Sequence, residues 1–325
     1  MISRRELVAT AALTCAVVVA GCGIGQGPSS DGTAELTVTR DFGAERLIDA
    51  SVDDPPESET VLRLLDAEAE ITTLYGGGFV QSIEGLDGST AGSRSFDWFF
   101  YVNGIESAIG AADARVYGGD RVWWDYREWT AAMRVPAVVG SWPEPFAHGS
   151  EGKRFPVRID CLGEDEDCAA VADRLEAEGV AASIGTEAAT VEGELLRVVV
   201  GTWDEVQADS AASLIAQGPA TSGVFADFEL AADGGYELVA LDAAGETVRG
   251  LGEGWGLVAA AREGEQQPTW VVTGTDEAGV DAAVELLDTD SLRDHYAVAA
   301  TEGLEVPLPV TEAAYPRIGG TKEQP

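Results

Sequence analysis

The residues of this chain that could do chemistry are few, and their spacing argues against catalysis. Only two histidines occur, His148 and His295. Neither stands in an order that would join an imidazole to a carboxylate and a nucleophile. No Gly-x-Ser-x-Gly elbow, His-Glu-x-x-His pair or phosphate-cradling loop ending in Gly-Lys is present. The run Gly250-Leu251-Gly252-Glu253-Gly254-Trp255-Gly256 is rich in glycine. Its glycines alternate, however, whereas a dinucleotide turn needs Gly-x-Gly-x-x-Gly between a strand and a helix. Carboxylates number 57 against 20 Lys and Arg, a formal net charge of −37, so no single pair of acids is informative. No catalytic residue, no metal ligand and no cofactor is expected.

The amino terminus carries a different kind of chemistry. Arg4 and Arg5 precede an apolar run from Leu7 to Val19, too short to span a bilayer and followed at once by polar sequence, so it reads as a signal peptide over residues 1–21. The run closes on Val19-Ala20-Gly21-Cys22. A small-residue cleavage site followed by cysteine resembles a bacterial lipobox; the alternative is an ordinary signal peptide with a chance cysteine. The resemblance implies lipidation of Cys22 by two or more acyl chains, palmitate among them, which anchors stably where one chain does not. The chain is then expected on the outer face of a cell membrane, with Cys22 as its contact to lipid. Arg4-Arg5 leaves Sec and twin-arginine export both open.

With Cys15 in the signal and Cys22 lipidated, Cys161 and Cys168 remain. An even pair in an exported chain reads first as a disulfide, and closing so short a loop is worth about 2–3 kcal/mol in chain-entropy terms. The acids between the two cysteines suggest a metal loop instead, but two thiolates beside four acids match no settled ligand spacing. The acidity repels phosphate backbones, so nucleic acid is not expected as a partner. Solubility, including adaptation to salt, explains it more simply than a specific cationic partner.

These residues need elements to hold them. Residues 22–33, rich in Gly, Ser and Pro, read as a flexible tether. Glu35–Arg40 alternates as a strand and Arg46–Val52 reads as its hairpin partner. Thr60 caps a helix whose Val61, Leu64 and Leu65 share one face. Ile71–Tyr75 and Phe79–Ile83 flank Gly76-Gly77-Gly78. Asp97–Val102 is an aromatic strand closed by the turn signal Asn103-Gly104, and Gly118-Gly119-Asp120 leads into a second aromatic strand, Arg121–Tyr126. Strands with one helix across the sheet describe a β-grasp over 34–130. Period-2 alternation sets Trp98, Phe100 and Val102 against Phe99 and Tyr101, and Trp124 and Tyr126 against Trp123. One helix covers one face only. The other aromatic set must meet solvent, another domain or a ligand, and a bare patch of that size is unusual. Internal packing and ligand contact are both open.

The succession "YGGGFVQSIEG" and "DWFFYVNGIESAIGAADARVYGGDRVWWDY" resembles the β-domain at the carboxyl end of the transcobalamin and intrinsic-factor family, one of the β-grasp domains that bind soluble ligands. The resemblance covers about residues 34–130. It implies ligand contact by the aromatic strand and the loop after it, hence Trp98 and Ala108-Ile109-Gly110-Ala111, with a corrinoid as the ligand of that family. The helical barrel that completes the site there has no counterpart in this chain.

Residues 131–153, with Pro143 and Pro145 and no period, read as a linker. Residues 154–305 read as an α/β domain: a strand from Phe155 to Cys161, a helix opened by Cys168, and two strand–turn–helix units that echo one another. In these, Leu196–Gly201 precedes the capping box Thr202-Trp203-Asp204-Glu205, and Trp270–Gly274 precedes Thr275-Asp276-Glu277. Helix starts after strands can hold anions, though most such turns hold nothing. Residues 306–325 are expected to form a disordered tail. The whole is an α+β chain, a β-grasp domain followed by a mixed α/β domain. The expected function is non-catalytic: a membrane-anchored protein that binds or presents a cofactor-sized ligand, corrinoid or other, to an uptake-system transporter. The ligand contacts are Tyr75, Phe79, Trp98, Phe100, Tyr101, Ile109, Gly110, Trp124 and Tyr126. The alternative is an envelope module that docks a partner protein on the aromatic face.

Overall fold

The computed structural model describes residues 30–75, 78–185, 194–232 and 234–311. Cys22 and the signal lie outside them. The first part runs β1 (Thr33–Arg40), β2 (Glu45–Asp53), α1 (Val61–Glu68), β3 (Ile71–Leu74), β4 (Phe79–Ile83), β5 (Leu86–Asp87), β6 (Ser89–Ala91), β7 (Arg94–Val102), β8 (Ile105–Glu106) and β9 (Arg121–Glu128). The expected strands and the Thr60 cap are present; Thr60 Oγ1 accepts from Arg63 N at 3.3 Å. The main sheet has the order β2-β1-β9-β7-β6, with β8 on β7, and its central pair β1 and β9 is parallel.

One face of this sheet carries Leu36, Val38, Trp98, Trp124 and Tyr126, and α1 covers it through Val61, Leu64 and Leu65. The small sheet β3-β4-β5 joins that layer through Val80 and Ile83. The opposite face carries Tyr101 and Trp123, and here the rest of the chain arrives: Val135, Val138, Phe225, Val239, Leu241 and Tyr296. Both aromatic sets are therefore core.

The second part runs β10 (Val157–Cys161), α2 (Asp165–Ala177), β11 (Ala182–Gly185), β12 (Leu196–Thr202), α3 (Trp203–Val206), α4 (Ser210–Ile215), α5 (Pro219–Ser222), β13 (Ala226–Leu230), β14 (Tyr236–Leu241), β15 (Thr247–Gly250), β16 (Gly256–Ala261), β17 (Thr269–Gly274), α6 (Glu277–Glu285), α7 (Thr289–Leu292), β18 (Ala297–Thr301) and β19 (Leu304–Leu308). Its seven-stranded sheet has the order β11-β10-β12-β17-β16-β18-β19. It is parallel from β11 to β17 and antiparallel beyond. The central strands β16 and β17 are buried throughout and mostly apolar, as burial on both faces requires. Residues of α2 and α6 cover one face. α3, α4 and the three-stranded sheet β13-β14-β15 cover the other. The molecule is strand-rich, mixed α and β, and no helix of the described residues is long and apolar enough to cross a membrane.

Two expectations about segments change. Residues 131–153 do not behave as a linker: Trp142 and Phe146 pack on Trp270, with ring centroids 5.5 and 5.1 Å apart, inside the core beneath α2 and α6. The prolines and missing period reflect an irregular path, not exposure. Residues 306–311 of the expected tail are ordered, because β19 pairs with β18 through Leu308 and Val310 N donates to Leu241 O at 2.9 Å; the rest of that expectation lies outside the described residues. Cys161 ends β10 and Cys168 sits in the first turn of α2, their sulfurs bonded at 1.98 Å. That helix opens at Asp165, three residues before the cysteine expected to open it.

Candidate ligand-binding site

The aromatic strands make poor binding surfaces, because this chain already covers them, although the buried Trp124 indole nitrogen has no hydrogen-bond partner among the described residues. Trp98 is buried, its indole donating to Leu86 O at 2.8 Å. The Tyr126 hydroxyl donates to Asp87 O at 2.9 Å and lies 2.7 Å from Ser89 Oγ. Trp124 is buried, and Phe100 packs on it at 4.8 Å between centroids. Tyr101 lies on the other face, fully buried. Trp98, Phe100, Tyr101, Trp124 and Tyr126 thus leave the set of ligand contacts: α1 covers one side of the sheet and the second part of the chain covers the other.

The seam on the Tyr101 side is polar as well as aromatic. Asp125, fully buried, accepts from Thr39 Oγ1 at 2.6 Å, from the amides of Phe42 and Gly43 at 3.1 and 3.2 Å, and from Tyr296 at 3.0 Å. Tyr101 donates to Tyr296 at 3.3 Å, and burial pushes its phenol up to about 12. Burial also pushes the Asp125 carboxyl up, against the pull of those donors and of Arg127. Arg127 lies 3.8 Å above the Phe99 ring and donates to Ala132 O at 2.8 Å. Nothing in this network opens to a ligand; it fastens one part of the chain to the other.

Tyr75, Phe79, Ile109 and Gly110 have a different fate. Tyr75 is 89% exposed, Phe79 40% and Ile109 51%, with Leu74 at 41% beside them. Tyr75 holds a φ of 53°, a left-handed backbone uncommon for a bulky residue. The two loops meet: a Cβ on Gly110 would stand 3.2 Å from Gly78 O. Four of the nine expected contacts therefore gather as an exposed apolar rim.

Ile109 is also part of the wall of a cavity of about 360 Å³. The turn Asn103-Gly104 builds it. Both residues have positive φ, 54° and 73°, as a tight hairpin between β7 and β8 requires, and a Cβ on Gly104 would press to 2.7 Å from Val138 O. Asn103 is fully buried and ties three segments together. It donates to Asp120 Oδ1 and to Gly149 O, each at 2.8 Å, and accepts from Arg121 N at 2.8 Å. Asp120 accepts in turn from Tyr117 N at 2.8 Å. This fixes the loop from β8 to β9 against residues 148–152.

Val102, Ile105, Ala114 and Tyr117 line the cavity, and Ser150 and Glu151 close one side. Arg262 and Glu265, from the hairpin between β16 and β17, close another. Glu106 also lines it; Arg134 Nε donates to its Oε2 at 2.8 Å. Burial pushes the Glu106 carboxyl up and Arg134 draws it back. Asn103 was legible in the sequence only as a turn residue. Glu106, Tyr117 and Arg262 carry no sequence signal, because their convergence depends on a hairpin some 150 residues away, a separation beyond any local pattern.

Other hollows of similar volume exist, one of about 380 Å³ between Arg121, Glu144 and His148 among them, but none includes an expected contact residue that stays exposed. A second cavity, of about 310 Å³, touches Phe42, Phe96 and Asp242, but Arg94 lies over the Phe96 ring at 5.6 Å and none of the large exposed apolar side chains of the described residues lines it. The helix starts after β12 and β17 hold this chain's own carboxylates. Glu205 Oε2 accepts from Thr202 N at 2.9 Å, and Asp276 Oδ1 from Gly279 N at 2.9 Å. The glycine run at 250–256 joins β15 to β16, and Gly254 N donates to Asp276 Oδ2 at 2.9 Å.

Residues 58–128 match a family described as a domain of unknown function, DUF4430. The match takes in α1, the exposed hairpin and the loop from β8 to β9, and covers well under half of the chain. No curated protein matches the chain.

Proposed function

We propose that this protein is an extracytoplasmic lipoprotein, anchored through Cys22, that binds a small molecule at the cavity above and presents it to an uptake system in the membrane. The observation that carries this reading is the cavity itself, walled by both parts of the chain and lined at its edge by the exposed Ile109, whose loop meets the hairpin that exposes Tyr75 and Phe79. Such rims seldom stay bare without a function. We read residues 34–130 as a β-grasp of the transcobalamin carboxyl-terminal type. What supports that is the parallel central pair β1 and β9, the flanking β2 and β7, and one helix across the sheet. In this reading the loop after the aromatic strand binds and the strand does not.

At about 360 Å³ the cavity lies near the small end of ligand pockets, roughly 300–1,000 Å³. Its volume suits a small molecule, held in a half-open cleft. A corrinoid would seat one edge there and rest against the rim. The test is a binding screen of small metabolites and corrinoids by thermal shift, repeated on Ile109→Asp and Tyr117→Ala. A ligand whose stabilisation both substitutions abolish supports the reading; ligands indifferent to both overturn it. Anchoring is tested separately by metabolic labelling with a lipid analogue, which Cys22→Ser should abolish.

The docking alternative rests on Tyr75, whose near-complete exposure on a projecting hairpin suits a partner protein. It predicts that Tyr75→Ala weakens capture of an envelope protein while small-molecule binding is untouched.

A further inference from the structure

The cavity has a floor of definite charge. Glu106 is 9% exposed, and only one of its carboxylate oxygens is engaged by a side chain: Arg134 donates to Oε2. Among the described residues Oε1 accepts no hydrogen bond, and it is not sealed from solvent. A solvent-open carboxylate oxygen with no protein donor can accept from a ligand without displacing a protein hydrogen bond. The walls beside it are apolar at Val102, Ile105 and Ala114, and the rim adds the carboxylates of Asp113, Glu151 and Glu265.

Two arginines also border the cavity, but both are committed elsewhere. Arg262 donates to Gln266 O at 2.6 Å and to Glu265 O at 3.2 Å, which holds its own hairpin loop together. Arg115 donates to Glu57 O at 2.9 Å. The chain as a whole carries a formal charge of −37, while at short range Arg134, Arg127 and Arg262 act on the Glu106 carboxyl. A net negative charge raises the local concentration of cations and repels anions.

We propose that the cavity takes an organic cation, a small molecule with an apolar body and a protonated amine whose N–H donates to Glu106 Oε1. The inference rests on reading the cavity as a ligand site, and it adds the class of ligand. The apolar body lies against Val102, Ile105 and Tyr117; the amine sits at the floor, where a charge-assisted hydrogen bond is strongest.

The experiment uses the full chain, purified in detergent, and three probes of similar size: 2-phenylethylamine, 2-phenylethanol and phenylacetate. Affinities are read by calorimetry or ligand-observed NMR at low ionic strength. The amine is expected to bind about tenfold or more tighter than the alcohol, and the carboxylate weakest. Glu106→Gln is expected to remove about that tenfold preference and to leave the alcohol within about twofold. Should Glu106→Gln fail to fold, Glu151→Gln on the exposed rim gives a second reading, a loss of about twofold for the amine alone.

Phenylacetate binding as tightly as the amine overturns the proposal. So does an amine preference unchanged in Glu106→Gln, or in Glu151→Gln where that variant serves instead. The underlying site is checked apart from the ligand class by Tyr117→Ala and Ile109→Asp. If these alter no probe, or if no probe binds at millimolar concentration, the cavity is not a ligand site and both readings fall. If they weaken the alcohol and the carboxylate but the amine never binds, the site stands and the cation is wrong.

Discussion

The two faces of the first sheet are both aromatic and both buried, yet they are buried by different means. Beneath α1, Trp98 and Tyr126 send their polar tips to Leu86 O, Asp87 O and Ser89, neighbours within the same small layer. On the seam, Tyr101 and Asp125 meet Tyr296, 195 and 171 residues away along the chain. The first face is closed by local hairpins and a helix, the second by another part of the molecule. What stays open is neither face but the edge where the loops end, with Tyr75 and Ile109 exposed and a cavity beside Ile109. Aromatic content alone therefore does not mark a binding surface; an aromatic whose polar tip is already satisfied has no need of one.

Substitution can break this contrast. The largest effect is expected at Trp98→Ala, which empties a well-packed site beneath α1 and should cost about 3–5 kcal/mol in chemical denaturation. Exchange protection should fall first in β4, β5 and β7, around the indole. Tyr296→Phe keeps the ring in the seam but removes a donor to the buried Asp125 carboxylate and an acceptor for Tyr101. It should cost about 1.5–3 kcal/mol, and amides of β9 should exchange faster although the substitution lies in the last quarter of the chain. If β9 is unaffected, the seam does not couple the two parts.

An acid far from the seam sharpens the electrostatic side. Asp167, in the first turn of α2, is pushed up to about 6 by burial and by the neighbouring Asp281 and Glu277. A folded-state value raised above the ordinary 3.8 means that stability is fully present below that ordinary value and is lost as pH rises through about 6. Asp167→Asn should therefore stabilise by on the order of 2 kcal/mol at pH 8 and change little at pH 4, read by thermal unfolding at both. Equal effects at the two pH values would contradict the assignment. The smallest effect belongs to the rim: Tyr75→Ala should move stability by less than about 0.5 kcal/mol, since an exposed side chain leaves no cavity. A larger loss would make Tyr75 part of the core layer and remove it from the site.

Several elements were legible because their causes are local. Alternation marked β1, β2, β7 and β9, the Thr60 and Thr202 caps marked helix starts, and Asn103-Gly104 marked its turn, since each depends on residues within about one turn of helix or one hairpin. The even pair Cys161 and Cys168 likewise indicated its bond. The strands β16 and β18 escaped notice because alanine-rich sequence carries little strand signal, and β13 to β15 were not read as a sheet. Residues 131–153 read as a linker because irregular backbone and burial are independent properties, and only the first shows in a pattern of prolines.

By itself, then, the sequence determined the acidic character, the four long strands of the first sheet and the two-sidedness of its aromatic strands, but not the short β6 and β8. Which side would be covered, and by what, was decided only in three dimensions. Tyr296, Val135 and Phe225 reach the seam by a path that no periodicity describes, and the Arg262 hairpin reaches the cavity in the same way. The physical reason is that hydrogen-bond geometry and side-chain alternation act over a few residues, whereas the covering of a face is a contest among all the apolar surface the chain has to bury.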